Sequence, residues 1–270
     1  MPFVSLDDIN VYYDLSGPQD APVALLGNSL GTNVHVWDAQ IAALSATHRV
    51  LRYDLRGHGL TEAGSRAALS IADLADDVAH LLDALRLRSV SFIGLSLSGM
   101  IAQRFAAVYP ERVEAVVLCA TASRIGTAQT WEARIAAVEQ GGMNAVIPAI
   151  LERWFTPLAH AEQPALIRGF ATMLERTPAT SYVAACGAVR DADLRADDAR
   201  IRCPALVIAG SDDAITTPEM AAELSAAVPG GRLRVIDSCA HIACAQAPAA
   251  FNAVLLPFLA QAADARAGSR

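Results

Sequence analysis

The sequence contains no lysine, and all 21 of its basic residues are arginine. Schiff-base formation on a lysine, phosphate capture by a P-loop lysine and proton abstraction by a lysine are thereby excluded. Aromatic residues are scarce, 6% of the chain against 53% hydrophobic residues overall, so the core has to be built from Ala, Leu, Val and Ile rather than from rings. No stretch approaches 18 uninterrupted apolar residues, and the N-terminus Met1-Pro2-Phe3-Val4-Ser5-Leu6-Asp7-Asp8 has neither a basic nor an apolar targeting region. A cytoplasmic protein that does not associate with membranes is the expectation. The formal charge is 21 − 28 = −7, with the acids scattered and no basic run, which leaves no electrostatic footprint for nucleic acid. Five cysteines, odd in number and without a C-x-x-C pair, fit free thiols in a reducing compartment. H-x-H and H-E-x-x-H are missing too, so metal-activated water is not expected. Nothing in the sequence specifies an oligomeric state.

What the chain does have is an alternation of short apolar runs with longer amphipathic ones, the pattern of parallel strands joined by crossover helices. Strands are expected at Ile9–Leu15, Val23–Leu26, Val50–Tyr53, Val90–Ile93, Val113–Cys119, Ala205–Ala209 and Leu233–Ile236. Helices are expected at Trp37–Leu44, Ile71–Leu85, Met100–Val108, Glu219–Ala227 and Ala249–Ala260. In the second of these, Ile71, Leu74, Val78, Leu81, Leu82 and Leu85 share one face, while Asp73, Asp76, Asp77 and Asp83 mostly take the other. Between residues 122 and 202 four helical stretches follow one another without a strand: Trp131–Glu139, Met143–Phe155, Ala165–Glu175 and Ser181–Val189. The expected architecture is α/β, a mostly parallel doubly wound sheet built from residues 1–121 and 203–262. A helical cap of residues 122–202 is inserted over the strand ends that carry chemistry, and residues 263–270 form a patternless tail.

Gly94-Leu95-Ser96-Leu97-Ser98-Gly99 sits between a strand and a helix, where a serine on a tight turn would present its hydroxyl above the sheet. The G-x-S-x-G pattern is broken at its last position by Ser98. A serine nucleophile needs a base, and the base needs a carboxylate to orient it. His241 follows the last expected strand, and Asp212-Asp213 follows the preceding one, in the chain order Ser, Asp, His. Adjacent carboxylates on an extended chain point to opposite sides, so only one of the pair can face the histidine. An oxyanion requires two preorganised donors. Leu97 N–H at the start of the helix and Leu30 N–H in the loop Gly27-Asn28-Ser29-Leu30-Gly31-Thr32 are the candidates. His58, in a glycine-rich turn, is expected to be structural, and His35, His48, His80 and His160 have no partner motif.

Assembled in this way, the chain resembles an α/β-hydrolase over nearly its whole length, and more closely the 3-oxoadipate enol-lactonases. The similarity runs through Asn28–Thr32, Trp37–Gln40, Leu51–Gly59 and Val117–Cys119, and in the cap through Arg153-Trp154-Phe155-Thr156 and Ala188–Asp193. The resemblance implies Ser96 as nucleophile, Asp213 as acid and His241 as base, with Leu30 and Leu97 as oxyanion donors. It also implies a substrate pocket in which Ser29, Arg134 and Trp154 are candidates, and a five-membered enol-lactone with an acetate arm as substrate, opened to 3-oxoadipate without a cofactor. A substrate carboxylate would call for a cap arginine, from among Arg124, Arg134, Arg153, Arg168, Arg176 and Arg190. The alternatives are a broad carboxylesterase or another lactonase of the same fold, since the triad does not encode the acyl group, and a ligand-binding receptor that retains the triad.

Overall fold

The computed structural model of the protein describes residues 2–66 and 68–267. The described residues form eight strands in one sheet: β1 (Phe3–Leu6), β2 (Ile9–Ser16), β3 (Val23–Gly27), β4 (Arg49–Tyr53), β5 (Val90–Leu95), β6 (Val113–Cys119), β7 (Ala205–Gly210) and β8 (Arg232–Ile236). Their spatial order is β1-β2-β4-β3-β5-β6-β7-β8. β1 and β2 run antiparallel at one edge, and the six remaining strands are parallel. Strands covered on both faces read as continuous apolar runs, and β5 and β7 are buried at every residue. β8, at the far edge, is mostly exposed.

Twelve α-helices accompany the sheet in the described residues: α1 (Asp38–Leu44), α2 (Ile71–Ala84), α3 (Leu97–Val108), α4 (Ala128–Gly141), α5 (Ile147–Trp154), α6 (Pro157–Glu162), α7 (Pro164–Arg176), α8 (Ala179–Asp191), α9 (Arg195–Asp198), α10 (Pro218–Ala227), α11 (Ala243–Gln246) and α12 (Pro248–Ala267). α2, α3, α9 and α10 pack in sequence along the sheet, while α1, α11 and α12 form a second layer. Local signals set several of their starts. Ser70 and Asp73 cap α2 reciprocally, as Thr127 and Thr130 cap α4, and Thr217 caps α10 ahead of Pro218. On α2 the apolar face is buried as its spacing predicts, but Asp77 is buried with it, because Arg56 grips its carboxylate through two hydrogen bonds of 2.8 and 2.7 Å.

Helices α4 to α8 fill the interval between β6 and β7, and α9 returns to pack on α3. Two elements there escape the sequence pattern. The expected helix Met143–Phe155 divides into a 3₁₀ turn at Met143–Ala145 and α5, and α6 begins at the Thr156-Pro157 start signal. The tail needs a correction. α12 continues to Ala267 through Ala262, Ala263, Ala265 and Ala267, because alanine has the highest helix propensity and no breaker intervenes. Residues 268–270 lie outside the described residues.

Where the insertion rejoins the core, Leu194 N–H donates to the Ser123 carbonyl at 2.8 Å. Asp198, just beyond, is wholly buried. Burial raises its pKa to about 6 from an ordinary 3.8, with the Asp197 and Asp193 charges adding to the effect and the Ser123 side chain opposing it. Between these two pKa values the folded protein keeps a proton that the unfolded chain has lost, so this carboxyl costs stability as pH rises through that window. The Asp198→Asn variant is expected to gain roughly 2–3 kcal/mol at pH 8 and almost nothing at pH 4. Thermal melts at the two pH values check this, and an equal shift at both would show that the ionisation is not the cause.

Candidate active site

The strand order reverses direction at β3, whose neighbours β4 and β5 are reached by connections to opposite sides, and the crevice at such a switch point is where parallel sheets hold ligands. Gly27 at the end of β3 pairs in register with Gly94 on β5, so the loops that follow the two strands start side by side. Ser96 occupies the turn between β5 and α3 at φ +55°, ψ −110°, in the left-handed region that a serine rarely adopts. Such a residue is strained by about 1–3 kcal/mol and persists only where its surroundings hold it. Ser96 N–H donates to the Cys119 carbonyl at 2.8 Å, and the Thr121 hydroxyl donates to the Ser96 carbonyl at 2.9 Å, so the turn is pinned to the end of β6. A side chain at Gly94 would lie 2.2 Å from the Ser98 carbonyl oxygen, which is why the turn closes only on glycine there.

Asp213 lies in the loop after β7 and His241 in the loop after β8, both buried. His241 Nδ1 is 2.8 Å from Asp213 Oδ2, and that oxygen also accepts from the Thr216 hydroxyl at 2.7 Å. The other carboxylate oxygen accepts from the Ile215 and Thr216 amides at 2.8 and 3.1 Å. Burial works to raise the Asp213 pKa, but the His241 charge and these donors outweigh it and hold the acid below its ordinary value. With Nδ1 engaged by the carboxylate, His241 has Nε2 left for the pocket it lines. The neighbouring Asp212 is exposed, with its side chain turned to the Ser211 hydroxyl.

Ser96 and His241 open onto one pocket. Ser29, Leu30, Leu97 and Ile215 line it from the core, and Ile125, Trp131, Arg134, Trp154, Tyr182 and Val189 line it from the insertion. All of the residues expected for the substrate pocket, Ser29, Arg134 and Trp154, meet here. Among the described residues the Leu30 and Leu97 amides donate to no protein acceptor. The Arg134 guanidinium sits 4.9 Å from the Trp131 ring centroid, and among the described residues it ion-pairs with no carboxylate. Arg153 lies close enough that burial and then the Arg134 charge push its pKa down. Arg190 is paired with Asp191, Arg153 is exposed, and neither of them, nor Arg124, Arg168 or Arg176, lines this pocket. His58 is buried with Nδ1 at 3.0 Å from the Arg56 carbonyl, and burial lowers its pKa, as befits the structural role expected for it.

Thr121 and Thr216 do not emerge from the sequence pattern. Thr216, three residues after the acid, could have been found as the hydroxyl that closes an Asx-type turn. Thr121 carries no such local signal, because its partner is 25 residues away.

Residues 22–248 match the family described as the alpha/beta hydrolase fold. The chain belongs to this family. This hydrolase is 34% identical to 3-oxoadipate enol-lactonase 2 of Acinetobacter baylyi over 249 residues, 92% of each chain. It is 31% identical over 93% of its length to a Variovorax paradoxus protein named provisionally as carbamate hydrolase RutD, covering 96% of that protein. A crystal structure of the enol-lactonase from Burkholderia xenovorans LB400 superposes with a TM-score of 0.92 at 36% identity, covering 96% of the hydrolase and 100% of that chain. No helix among the described residues is long and apolar enough to cross a membrane.

The hydrolase offers a direct choice between its two adjacent acids. Asp213→Asn is expected to lower kcat by about three to four orders of magnitude, since an amide neither fixes the imidazole tautomer nor stabilises an imidazolium. Asp212→Asn should stay within a few-fold of the parent. Steady-state kinetics on any turned-over ester decide it, and the opposite order would remove Asp213 from the site.

Proposed function

We propose that this protein is a serine hydrolase that opens a small carboxylated enol-lactone, 3-oxoadipate enol-lactone, to 3-oxoadipate through an acyl-enzyme. The observation that carries the reading is one pocket that holds Ser96, His241 and an arginine guanidinium that ion-pairs with no carboxylate among the described residues. The five cysteines are free thiols, in keeping with action on a small molecule in the cytoplasm.

The chemistry follows from the parts. Ser96 Oγ attacks the ring carbonyl carbon while His241 Nε2 takes the hydroxyl proton, and the Asp213 carboxylate stabilises the imidazolium. The Leu30 and Leu97 N–H groups receive the oxyanion. When it collapses, the ring C–O bond breaks and the departing enolate takes a proton and becomes a ketone, so the leaving group needs little help. Water, deprotonated by His241, then attacks the acyl-serine and releases the diacid and the free Ser96 hydroxyl. Every atom comes from the lactone, the side chains and one water.

Arg134 supports the lactone reading over a neutral ester. Its planar guanidinium can hold the substrate's acetate arm through two hydrogen bonds, with Arg153 adding positive potential behind it. The similarity to enol-lactonases of 34% and 36% identity supports the same substrate class. The similarity to the Variovorax protein makes a carbamate the second reading, and the same serine and oxyanion donors could attack its carbonyl.

In side-by-side assays, kcat/KM for 3-oxoadipate enol-lactone should exceed that for p-nitrophenyl acetate and for a simple carbamate by at least tenfold. A fluorophosphonate adduct should map to Ser96. Arg134→Ala should raise KM for the lactone roughly 10- to 100-fold, the value of one or two charged hydrogen bonds, while a neutral ester changes little. Adduct formation elsewhere overturns the nucleophile. A lactone no better than the simple ester overturns the substrate and leaves a broad esterase, and turnover that stops after one equivalent leaves a receptor.

A further inference from the structure

We infer that Ser98, the residue that breaks the elbow pattern, is a positioning residue for the oxyanion pocket, acting with Thr32 to fix the two donor amides relative to each other. The inference rests on the acyl-enzyme reading above and deepens it.

Ser98 is wholly buried in the first turn of α3, next to Leu97, one of the two donors. Its hydroxyl donates to the Asn28 carbonyl at 2.5 Å. Asn28 stands two residues before Leu30, the other donor. A single hydrogen bond therefore ties the helix that carries one amide to the loop that carries the second. A buried hydroxyl needs some partner, and in the first turn of a helix no helical carbonyl lies one turn back to supply it. Ser98 instead reaches out of its helix to a loop 70 residues away in sequence.

The next peptide along the loop is held from the other side. The Ser29 carbonyl accepts from the Thr32 hydroxyl at 2.8 Å and from the Thr32 amide at 3.1 Å. In a planar trans peptide the carbonyl and the following N–H point in opposite directions. Clamping the Ser29 carbonyl onto Thr32 therefore turns the Leu30 N–H away from Thr32, and among the described residues it donates to no protein acceptor. Leu30 itself lines the pocket. Two successive carbonyls of the loop, Asn28 and Ser29, are thus each held by a side-chain hydroxyl. The Asn28 side chain adds a third tie through its amide to the Tyr53 carbonyl at 3.0 Å. The space for Ser98 is matched by glycine on β3, because a side chain at Gly27 would come within 2.7 Å of the Ser98 Cβ.

Such a clamp acts on the oxyanion and not on the bound lactone. Ser98→Ala and Thr32→Val should each lower kcat about tenfold with KM within twofold of the parent. The inhibition constant of an alkylboronic acid, whose tetrahedral adduct places an oxygen where the oxyanion forms, should weaken by the same factor. The Ser98→Gly variant restores the common elbow pattern without the hydroxyl and should show the same loss, which keeps the test independent of any packing defect in the alanine variant. Melting temperatures of all three should remain within a few degrees of the parent. Wild-type kcat in Ser98→Gly and Ser98→Ala overturns the inference, as does a loss confined to KM. The two readings fail differently. If Ser96→Ala still turns over, the acyl-enzyme reading falls. If Ser96→Ala is dead while the Ser98 variants match the parent, only the clamp falls.

Discussion

The proposed active site depends on one backbone conformation, that of Ser96 at φ +55°. A serine pays about 1–3 kcal/mol to sit there. The hydrogen bonds from Ser96 N–H to Cys119 and from Thr121 to the Ser96 carbonyl offset a similar amount at about 1 kcal/mol each, and both run to the end of β6. The conformation is thus held by the neighbouring parallel strand rather than by the turn itself. That explains why the site needs the sheet intact before it exists at all. It also explains the lengths of the strands, since β5 and β6 must end in register, Leu95 opposite Cys119, for the bond to form.

Charge is handled in two contrasting ways. Arginines in the core are neutralised where they sit: Arg52 bonds to Asp14 and Asp38, and Arg56 to Asp77 and Asp8. Asp213 is likewise met by donors on both oxygens. Arg134 and Arg153 are different, because they stand close enough to repel each other and burial already disfavours the Arg153 charge. The two cations repel each other, and the Asp213 charge offsets part of that repulsion at Arg153. With no lysine in the chain, the charges there are planar and fixed rather than mobile points.

The sheet and the proposed triad were legible because their signals are local. Short apolar-rich runs marked seven strands to within one or two residues, most plainly the central ones that are covered on both faces. β1 was not legible, because at the sheet edge only Leu6 of its four residues is buried and the run Phe3–Leu6 has no periodic contrast. The end of α12 was missed for the opposite reason: alanine carries no amphipathic signal yet propagates a helix well. Ser96 and His241 were singled out from elbow context and chain order, and Asp213 over Asp212 from the family resemblance. What could not be read was whatever joins distant loops. The Thr121 and Ser98 contacts link positions 25 and 70 residues apart, and the neighbouring charges of Arg134 and Arg153 come from two different helices, α4 and α5.

Ser98 shows how a departure from a motif can carry information that the motif itself does not. The elbow requires a small residue at that position, and glycine satisfies the steric demand while contributing nothing else. Serine is nearly as small but brings a donor, and a buried donor has to find an acceptor. The acceptor it finds is a carbonyl on the loop that faces α3 across the crevice. The shape requirement and the hydrogen-bond requirement are therefore met by one side chain, at the price in sequence of a glycine at position 27. A helix N-terminus and a loop that approach from different strands have no covalent reason to keep a fixed separation. Electrostatic stabilisation of an oxyanion falls off if either donor drifts, because the benefit lies in dipoles that need no reorganisation when charge develops. A short bond between the two supports is the most economical way to keep both amides aimed at one point.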